Sequence, residues 1–425
     1  MGTENAQVMN VLIVTHYYPP EPHRLIEELA GTLKEFGHTV RVLTGFPNWP
    51  SGRLHPDYPL RFLRKENLSG VEVYRTPVYP DHSRSVFKRT LNLVSFAISA
   101  SLLGPFVVPR CDVVWVISPP TVALPGWLLS AIWKVPVVYD VLDMWPETLA
   151  ATQMLGSSWV VSAVGWGMKK LYDSCAAIRV VSPGFQSDLI RKGVAPEKIC
   201  YVPNWVDTDV YSRRAHNCGC DESKRRANKF RIVYAGNIGI AQGLDVVLDA
   251  AELLRANTEI EFVLIGDGVD YLRLRRVAEA RQLENVRFLG RRPTTEMPEV
   301  YAEADVLLVH LRDEPIFRIT IPHKILEYLA SGKPIIAAVS GSAAEVVRFA
   351  DAGIICEPSN AGSLAEAVTR MIAMPEGERL DMGRNARNAA CKDYSRLPVV
   401  RKLEGILLKA VKAHRRPSPA GRSVL

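Results

Sequence analysis

The chain has 425 residues, 48% of them hydrophobic and 23% charged, which supplies a sizeable core for two or three domains and excludes a disordered chain. Its net charge of +7 is modest for this size and suits an anionic substrate, an anionic membrane surface or equally a solvated basic surface with no partner, and no nucleic-acid partner is expected. The seven cysteines form no CxxC pair, and the spacing of His216, Cys218 and Cys220 is too tight for a zinc knuckle, so neither a disulfide framework nor a metal is expected.

Residues 1–9 are polar, and the apolar run Val11 to Val14 is too short for a signal sequence. Val11–Thr15 reads as a buried strand. A helix follows from Leu25 to Phe36, with Leu25, Ile26, Leu29, Leu33 and Phe36 on one face and Gly37 at its end. Further strands are expected at Thr39–Thr44, Val113–Ile117, Val135–Tyr139 and Ile178–Val181. Between Thr39–Thr44 and Val113–Ile117, Ser83 to Leu103 joins Arg84, Lys88 and Arg89 to a run of Leu, Val, Phe and Ile. That composition fits an interfacial helix on an anionic membrane or a core helix with a basic start. The apolar part, Leu91 to Leu103, stops before Gly104-Pro105 and is shorter than a bilayer span, so a cytoplasmic, non-spanning chain is expected.

The second half repeats the alternation. Strands are expected at Phe230–Ala235, Phe262–Ile265, Val286–Leu289, Val306–Val309, Pro334–Ala337 and Gly353–Cys356, with a helix over Leu244–Ala256. The pattern implies two α/β domains with parallel sheets facing a central cleft. The division is 1–210, a polar linker at 211–229, and 230–395. A last amphipathic helix at 396–414 is expected to pack back on the first domain, before a disordered tail at 415–425.

No GxGxxG follows the first strand, where His16-Tyr-Tyr-Pro-Pro-Glu21-Pro-His-Arg24 has no glycine, which argues against a dehydrogenase. Glycines gather instead after strands of the second half, at Gly236-Asn237-Ile-Gly239 with Gln242-Gly243, and at Gly266-Asp-Gly268. Such turns bring backbone N–H groups toward an anion, or serve turn geometry alone. Arg318 and Lys324 sit in a polar loop running into a helix that begins at about His323, a pairing suited to neutralising a diphosphate. Glu327, one turn beyond Lys324, can accept the hydroxyls of a ribose or form a surface pair with the lysine. In the first half, Asp140, Asp143 and Glu147 beside Trp145 and Pro146 suit a sugar site or an ordinary helix start.

Together these segments resemble glycosyltransferase family 4, retaining enzymes of the GT-B fold with two Rossmann-like domains. More closely they are similar to the WbuB-type transferases of bacterial O-antigen and capsule assembly, which include L-fucosamine transferases. The likeness runs from about Val11 to about Arg396. It is carried by Tyr18-Pro-Pro-Glu21 with Arg24, by Leu43 to Pro50, Ser118 to Thr121, Asp143-Met-Trp-Pro-Glu147, Val181 to Phe185 and Val202 to Asp207, and by Gly236-Asn-Ile-Gly239 with Gln242-Gly243, Ile265 to Gly268, Phe317 to Lys324 and Glu327 to Gly332.

The resemblance implies transfer of an N-acetylated or deoxy hexose from a UDP-sugar to a lipid-linked or glycan acceptor, with retention and without metal. A polyprenyl-diphosphate-linked acceptor would be met at the inner face of the cytoplasmic membrane, with Ser83–Leu103 as a peripheral contact. Gly236, Asn237, Gly239, Gln242, Gly268, Arg318, Lys324 and Glu327 are implied to hold the donor. Arg318 and Lys324 would stabilise the departing diphosphate. Asp143, with Glu147 second, would serve the reacting sugars, and Glu21, Arg24 and Asn48 the acceptor. The family's first signature glutamate is Ile319 here, its arginine and lysine fall at Asn237 and Gln242, and its histidine before the aspartate is Leu142. Two rival readings share the fold: a non-hydrolysing UDP-sugar 2-epimerase and a catalytically silent binding protein.

Overall fold

The computed structural model describes residues 8–81, 85–147, 158–211 and 229–415. The expected linker lies almost wholly outside these, as do Arg84, the His216–Cys220 group and the tail beyond Arg415. The described residues form two compact units. The first comprises the chain to Val181, Gln186–Val202 and the chain from Val400, and the second comprises Ser182–Phe185 and Pro203–Val399.

The first unit is built on an eight-stranded sheet. Its strands are β1 (Asn10–Val14), β2 (Thr39–Gly45), β3 (Arg64–Leu68), β4 (Val71–Thr76), β5 (Val113–Ile117), β6 (Val137–Val141), β7 (Ala177–Val180) and β8 (Ile199–Tyr201), in the order β3-β4-β2-β1-β5-β6-β7-β8. The helices are α1 (Arg24–Glu35), α2 (Val86–Val107), α3 (Ala123–Trp133), α4 (Ser158–Ser174) and α5 (Pro183–Arg191). Every pairing is parallel except that of β3 with β4, an antiparallel hairpin at the sheet's edge. The hairpin forms because Ser69 and Gly70 both take positive φ and the Asn67 side chain accepts the Gly70 N–H at 2.8 Å. Valine-rich β5 is buried along its whole length, as a strand covered on both faces must be.

The helix expected to end before Gly104-Pro105 runs on to Val107, with Pro105 in its last turn. At 22 residues and a mean hydropathy of 1.6 it is long and apolar enough to cross a membrane by length and composition, which corrects the expected limit. Its inner face, with Phe96, Ala97, Ala100 and Gly104, is buried. A side chain at Gly104 would press on Leu43 and Leu129, so glycine lets α2 close onto β2 and α3.

The second unit carries a six-stranded parallel sheet of β9 (Phe230–Ala235), β10 (Ile260–Ile265), β11 (Val286–Gly290), β12 (Val306–His310), β13 (Ile335–Ala338) and β14 (Gly353–Cys356), in the order β11-β10-β9-β12-β13-β14. This is the doubly wound arrangement, whose strand order reverses between β9 and β12. Around it lie α6 (Asp245–Leu253), α7 (Tyr271–Ala280), α8 (Met297–Ala302), α9 (Pro315–Ile319), α10 (His323–Ser331), α11 (Ser342–Phe349), α12 (Ala361–Ala373) and α13 (Glu376–Asp393).

Residues 203–211, assigned from sequence to the first domain and linker, pack with the second unit. Val206 N–H donates to Tyr394 O at 2.8 Å, and Tyr211 stacks on Tyr301. The last helix, α14 (Arg396–Arg415), starts in the second unit and belongs to the first from Val400 on. There Glu404 accepts from His38 at 2.8 Å in a buried pair, while the other His38 nitrogen takes the Met9 N–H.

Candidate functional site in the second unit

The C-terminal ends of β9, β10 and β12 and the start of α10 meet where the strand order reverses, the usual place for a ligand in an open parallel sheet. Lys324 lies in the first turn of α10. Its amine donates to Tyr234 Oη at 2.6 Å and stands 3.9 Å from the centre of that ring. It also lies so close to Gly236 that a Cβ there would come within 2.8 Å of it. Burial pushes the Lys324 pKa down to about 7, with the Glu327 charge partly opposing the shift. No carboxylate pairs with the amine among the described residues. Lys324 thus sits at the positive end of the α10 dipole, where Ile325 N–H closes back onto Pro322 O.

Glu327 is braced on two sides. Tyr301 Oη donates to one carboxylate oxygen at 2.9 Å, and His323 Nδ1 stands 3.3 Å from the other. The second nitrogen of His323 lies 3.0 Å from the Trp205 carbonyl. Both imidazole contacts are donations only when the ring is protonated, so the geometry favours imidazolium beside carboxylate. Burial works to raise the Glu327 pKa, but the His323 and Tyr301 hydrogen bonds and the Lys324 charge outweigh it and hold the group below its ordinary value. The ionised carboxylate keeps lone pairs for further donors.

The glycine turns are fixed by close packing. A Cβ on Gly266 would fall 1.7 Å from Gly236 O, and one on Gly268 would fall 2.3 Å from Ile238 O. The N–H groups of Gly236, Ile238 and Gly268 are taken by Ile265 O, Asp267 O and the Asp267 side chain. Gln242 Oε1 accepts from Gly239 N–H at 3.1 Å and from Asn237 Nδ2 at 3.2 Å, so these side chains lock the turn. The N–H groups of Gly236, Ile238, Gly239 and Gly268 are thus bonded within the protein. His310 at the end of β12 braces the same loop: burial lowers its pKa, and the neutral ring meets Gln242 O at 2.5 Å and Ser359 N–H at 3.3 Å.

Arg318 is exposed and holds Asp313 through two hydrogen bonds of 3.0 and 2.9 Å. The structure thus gives Lys324 as the cation without an acidic partner and turns Arg318 to an aspartate.

In the first unit, Asp143 follows β6 and makes no hydrogen bond or ion pair among the described residues. Its carboxylate reaches solvent yet is closely surrounded, and desolvation raises its pKa. Neighbouring Asp140 is a buried structural partner, bound by Arg179 at 2.9 and 3.0 Å. One oxygen of Glu147 accepts from Lys192 at 2.6 Å, and the other is buried without a hydrogen bond among the described residues.

Glu21 and Asn48 are both tied into the protein's own hydrogen bonds. Glu21 accepts the backbone N–H groups of Tyr18, Asn48 and Trp49. Burial nevertheless pushes its pKa up to about 7, against those donors and the Arg75 charge. Asn48 is buried, with its amide bonded to Phe46 O and Asn92. Arg24 is exposed, 3.8 Å from Glu28. Sequence reasoning missed Tyr234, Tyr301 and His310, whose roles appear only through contacts distant in the chain. It could have flagged His323 from its four-residue spacing to Glu327.

Residues 22–205 match the Glycosyl transferase 4-like domain, and residues 221–389 match Glycosyl transferases group 1. The chain belongs to the GT-B glycosyltransferases. WcaI of Escherichia coli K12, named as a glycosyl transferase of colanic acid biosynthesis, is 27% identical over 394 residues, covering 87% of this chain and 93% of its own. The glycosyltransferase WbjE of Pseudomonas aeruginosa is 25% identical over 261 residues, covering 60% and 63%. Among solved structures, Anabaena Alr3699/HepE in complex with UDP and glucose superposes with a TM-score of 0.69 at 17% identity, covering 94% and 99%. WaaG, a glycosyltransferase of lipopolysaccharide biosynthesis, gives 0.64 at 18% identity, covering 96% and 100%. The solved structures establish the GT-B fold, and the family matches establish glycosyl transfer.

Proposed function

We propose that this glycosyltransferase takes a sugar from a UDP-sugar held in the second unit and adds it, with retention and without metal, to a lipid-linked acceptor in cell-surface polysaccharide synthesis. The observation that carries the reading is Lys324. It is a half-buried amine with no acidic partner among the described residues, set against a glycine turn and the N-terminus of α10, one helical turn before a braced carboxylate. That arrangement matches a diphosphate next to a ribose. The relative Alr3699/HepE, solved with UDP, and the naming of WcaI for colanic acid synthesis support the donor and the pathway class.

In the reaction the bond between the anomeric carbon and the diphosphate oxygen breaks, the acceptor hydroxyl oxygen bonds that carbon and gives its proton to the departing diphosphate, and negative charge gathers on the leaving UDP in the transition state. Protonated Lys324 and the α10 N-terminus stabilise that charge. Arg318 joins them by leaving Asp313, an exposed pair of the kind that contributes little stability. Glu327 accepts ribose hydroxyls from the oriented side facing away from Tyr301 and His323. Asp143 accepts a hydrogen bond from a sugar hydroxyl and Glu147 supports it, the finer WbuB-type kinship being part of the same proposal. The enzyme works at the inner face of the cytoplasmic membrane, touching it through α2.

Thermal shift with UDP, UDP-sugars, ADP and GDP tests the donor. Stabilisation by the uridine compounds, weakened in Lys324→Ala and Glu327→Ala, is expected. Stabilisation by ADP or GDP alone would refute the uridine assignment.

A further inference from the structure

The outer face of α2 exposes Phe87, Leu91, Val94, Ile98, Leu102 and Phe106 in one stripe, Phe87 at 76% and Phe106 at 88%. Helix α3, packed against α2, adds exposed Leu124, Trp127, Leu128 and Ile132. Trp127 donates to Ser174 of α4, which itself exposes Trp166. An exposed apolar surface spread over neighbouring helices marks an interaction site.

At the foot of this surface the chemistry changes. Arg110 follows α2 and Lys134 follows α3, and both line a cavity of about 300 Å³ with His414 and Arg415 from the end of α14. From Ser85 to Tyr139 the chain holds one acidic residue, Asp112, and that carboxylate is already taken by Asn10 and Arg415. The Arg110 and Lys134 side chains are exposed and make no hydrogen bond or ion pair among the described residues, while the Lys134 carbonyl meets His414 Nε2 at 3.1 Å. Cations at helix ends also answer helix dipoles. That role alone explains neither a cavity shared by three chain segments nor an adjoining apolar face almost free of acid.

We infer that α2 and α3 lie together on an anionic bilayer, and that the Arg110–Lys134 cavity receives the phosphate of a lipid headgroup. The inference rests on the membrane contact proposed above and extends it from one helix to a two-helix footprint with a headgroup site. Apolar side chains supply area to the acyl boundary, while free cations at the footprint's end meet phosphate.

The test is co-flotation of the purified full-length chain with phosphatidylcholine vesicles, with and without phosphatidylglycerol. Wild type is compared with Arg110→Glu/Lys134→Glu at the cavity, Ile132→Asp on α3 and Ile98→Asp on α2. Melting temperature and UDP-sugar affinity, expected to be unchanged, confirm that each variant is folded. Wild type floats with the anionic vesicles. The cavity double variant, which turns two positive charges into two negative ones, loses on the order of a thousandfold in partition, and Arg110→Lys/Lys134→Arg restores it. Ile132→Asp also weakens binding. If the cavity and α3 variants float like wild type while Ile98→Asp does not, the α2 contact stands and this inference fails. If wild type floats with no vesicle, both fail. A dimer broken by Ile132→Asp, with flotation unaffected, would make the face a self-interface and overturn the proposal.

Discussion

Binding of a UDP-sugar should depend on pH through Lys324. The free amine has a pKa of about 7, lowered by burial, and a neighbouring diphosphate favours its protonated form. Binding therefore takes up protons when the solution is above that value. If only the charged amine binds, about nine-tenths of the protein is competent at pH 6 and about one-tenth at pH 8, so affinity falls roughly tenfold, about 1.4 kcal/mol. A UDP-sugar is the right probe because its esterified diphosphate does not itself titrate in this range, whereas the terminal phosphate of UDP does. Calorimetry in buffers of different ionisation enthalpy should register uptake of about half a proton at pH 7. Lys324→Arg, always charged, should bind with a flat profile. An affinity for wild type that is the same at pH 6 and pH 8, with no proton uptake, would refute the placing of the diphosphate on this amine.

The same depressed pKa affects stability with the opposite sense. The unfolded lysine titrates near 10.5 and the folded one near 7, so between these values the unfolded chain holds more protons and stability rises with pH; Lys324→Met should flatten that rise in denaturant titrations. Glu327→Gln should weaken the UDP-sugar and its 2′-deoxyribose analogue to nearly the same affinity, whereas wild type should prefer the ribose form by about 1–3 kcal/mol; an undiminished preference in the variant would exclude Glu327 as a ribose partner. Arg179→Met should cost about 3–5 kcal/mol by leaving Asp140 buried and unpaired, and adding Asp140→Leu should recover much of it. Gly266→Ala should unfold the second unit or abolish donor binding, because the new methyl meets Gly236 O, and unchanged binding would show that the turn can yield.

Much of the frame was legible because its signals are local. Strands β5, β9 and β14 begin and end where short apolar runs do, and α10 begins at His323 as read. Strand β3, Arg-Lys-Glu-Asn-Leu, carries no such run; it exists because the Ser69-Gly70 turn folds it onto β4. The extent of α2 does not follow from the sequence because Pro105 looks like a stop, yet the helix carries it in its last turn, and Val108 N–H closes the end onto Gly104 O. Within the site, Lys324 and Glu327 could be paired from their spacing. Tyr301 and Tyr234 could not, since they reach the site from 26 and 90 positions away. Glu21 looked like a ligand-binding carboxylate, yet its polar appetite is met by backbone N–H groups, which a sequence does not display.

The most direct test of sugar transfer at this site is release of UDP from UDP-sugars in the presence of a polyprenyl-diphosphate-linked acceptor, with wild type beside Lys324→Ala. The account predicts UDP release that requires the acceptor and falls by at least about a hundredfold in the variant, the scale set by removing one stabilising group from a developing anion. Equal turnover by both proteins, or turnover with adenosine or guanosine donors alone, would contradict it.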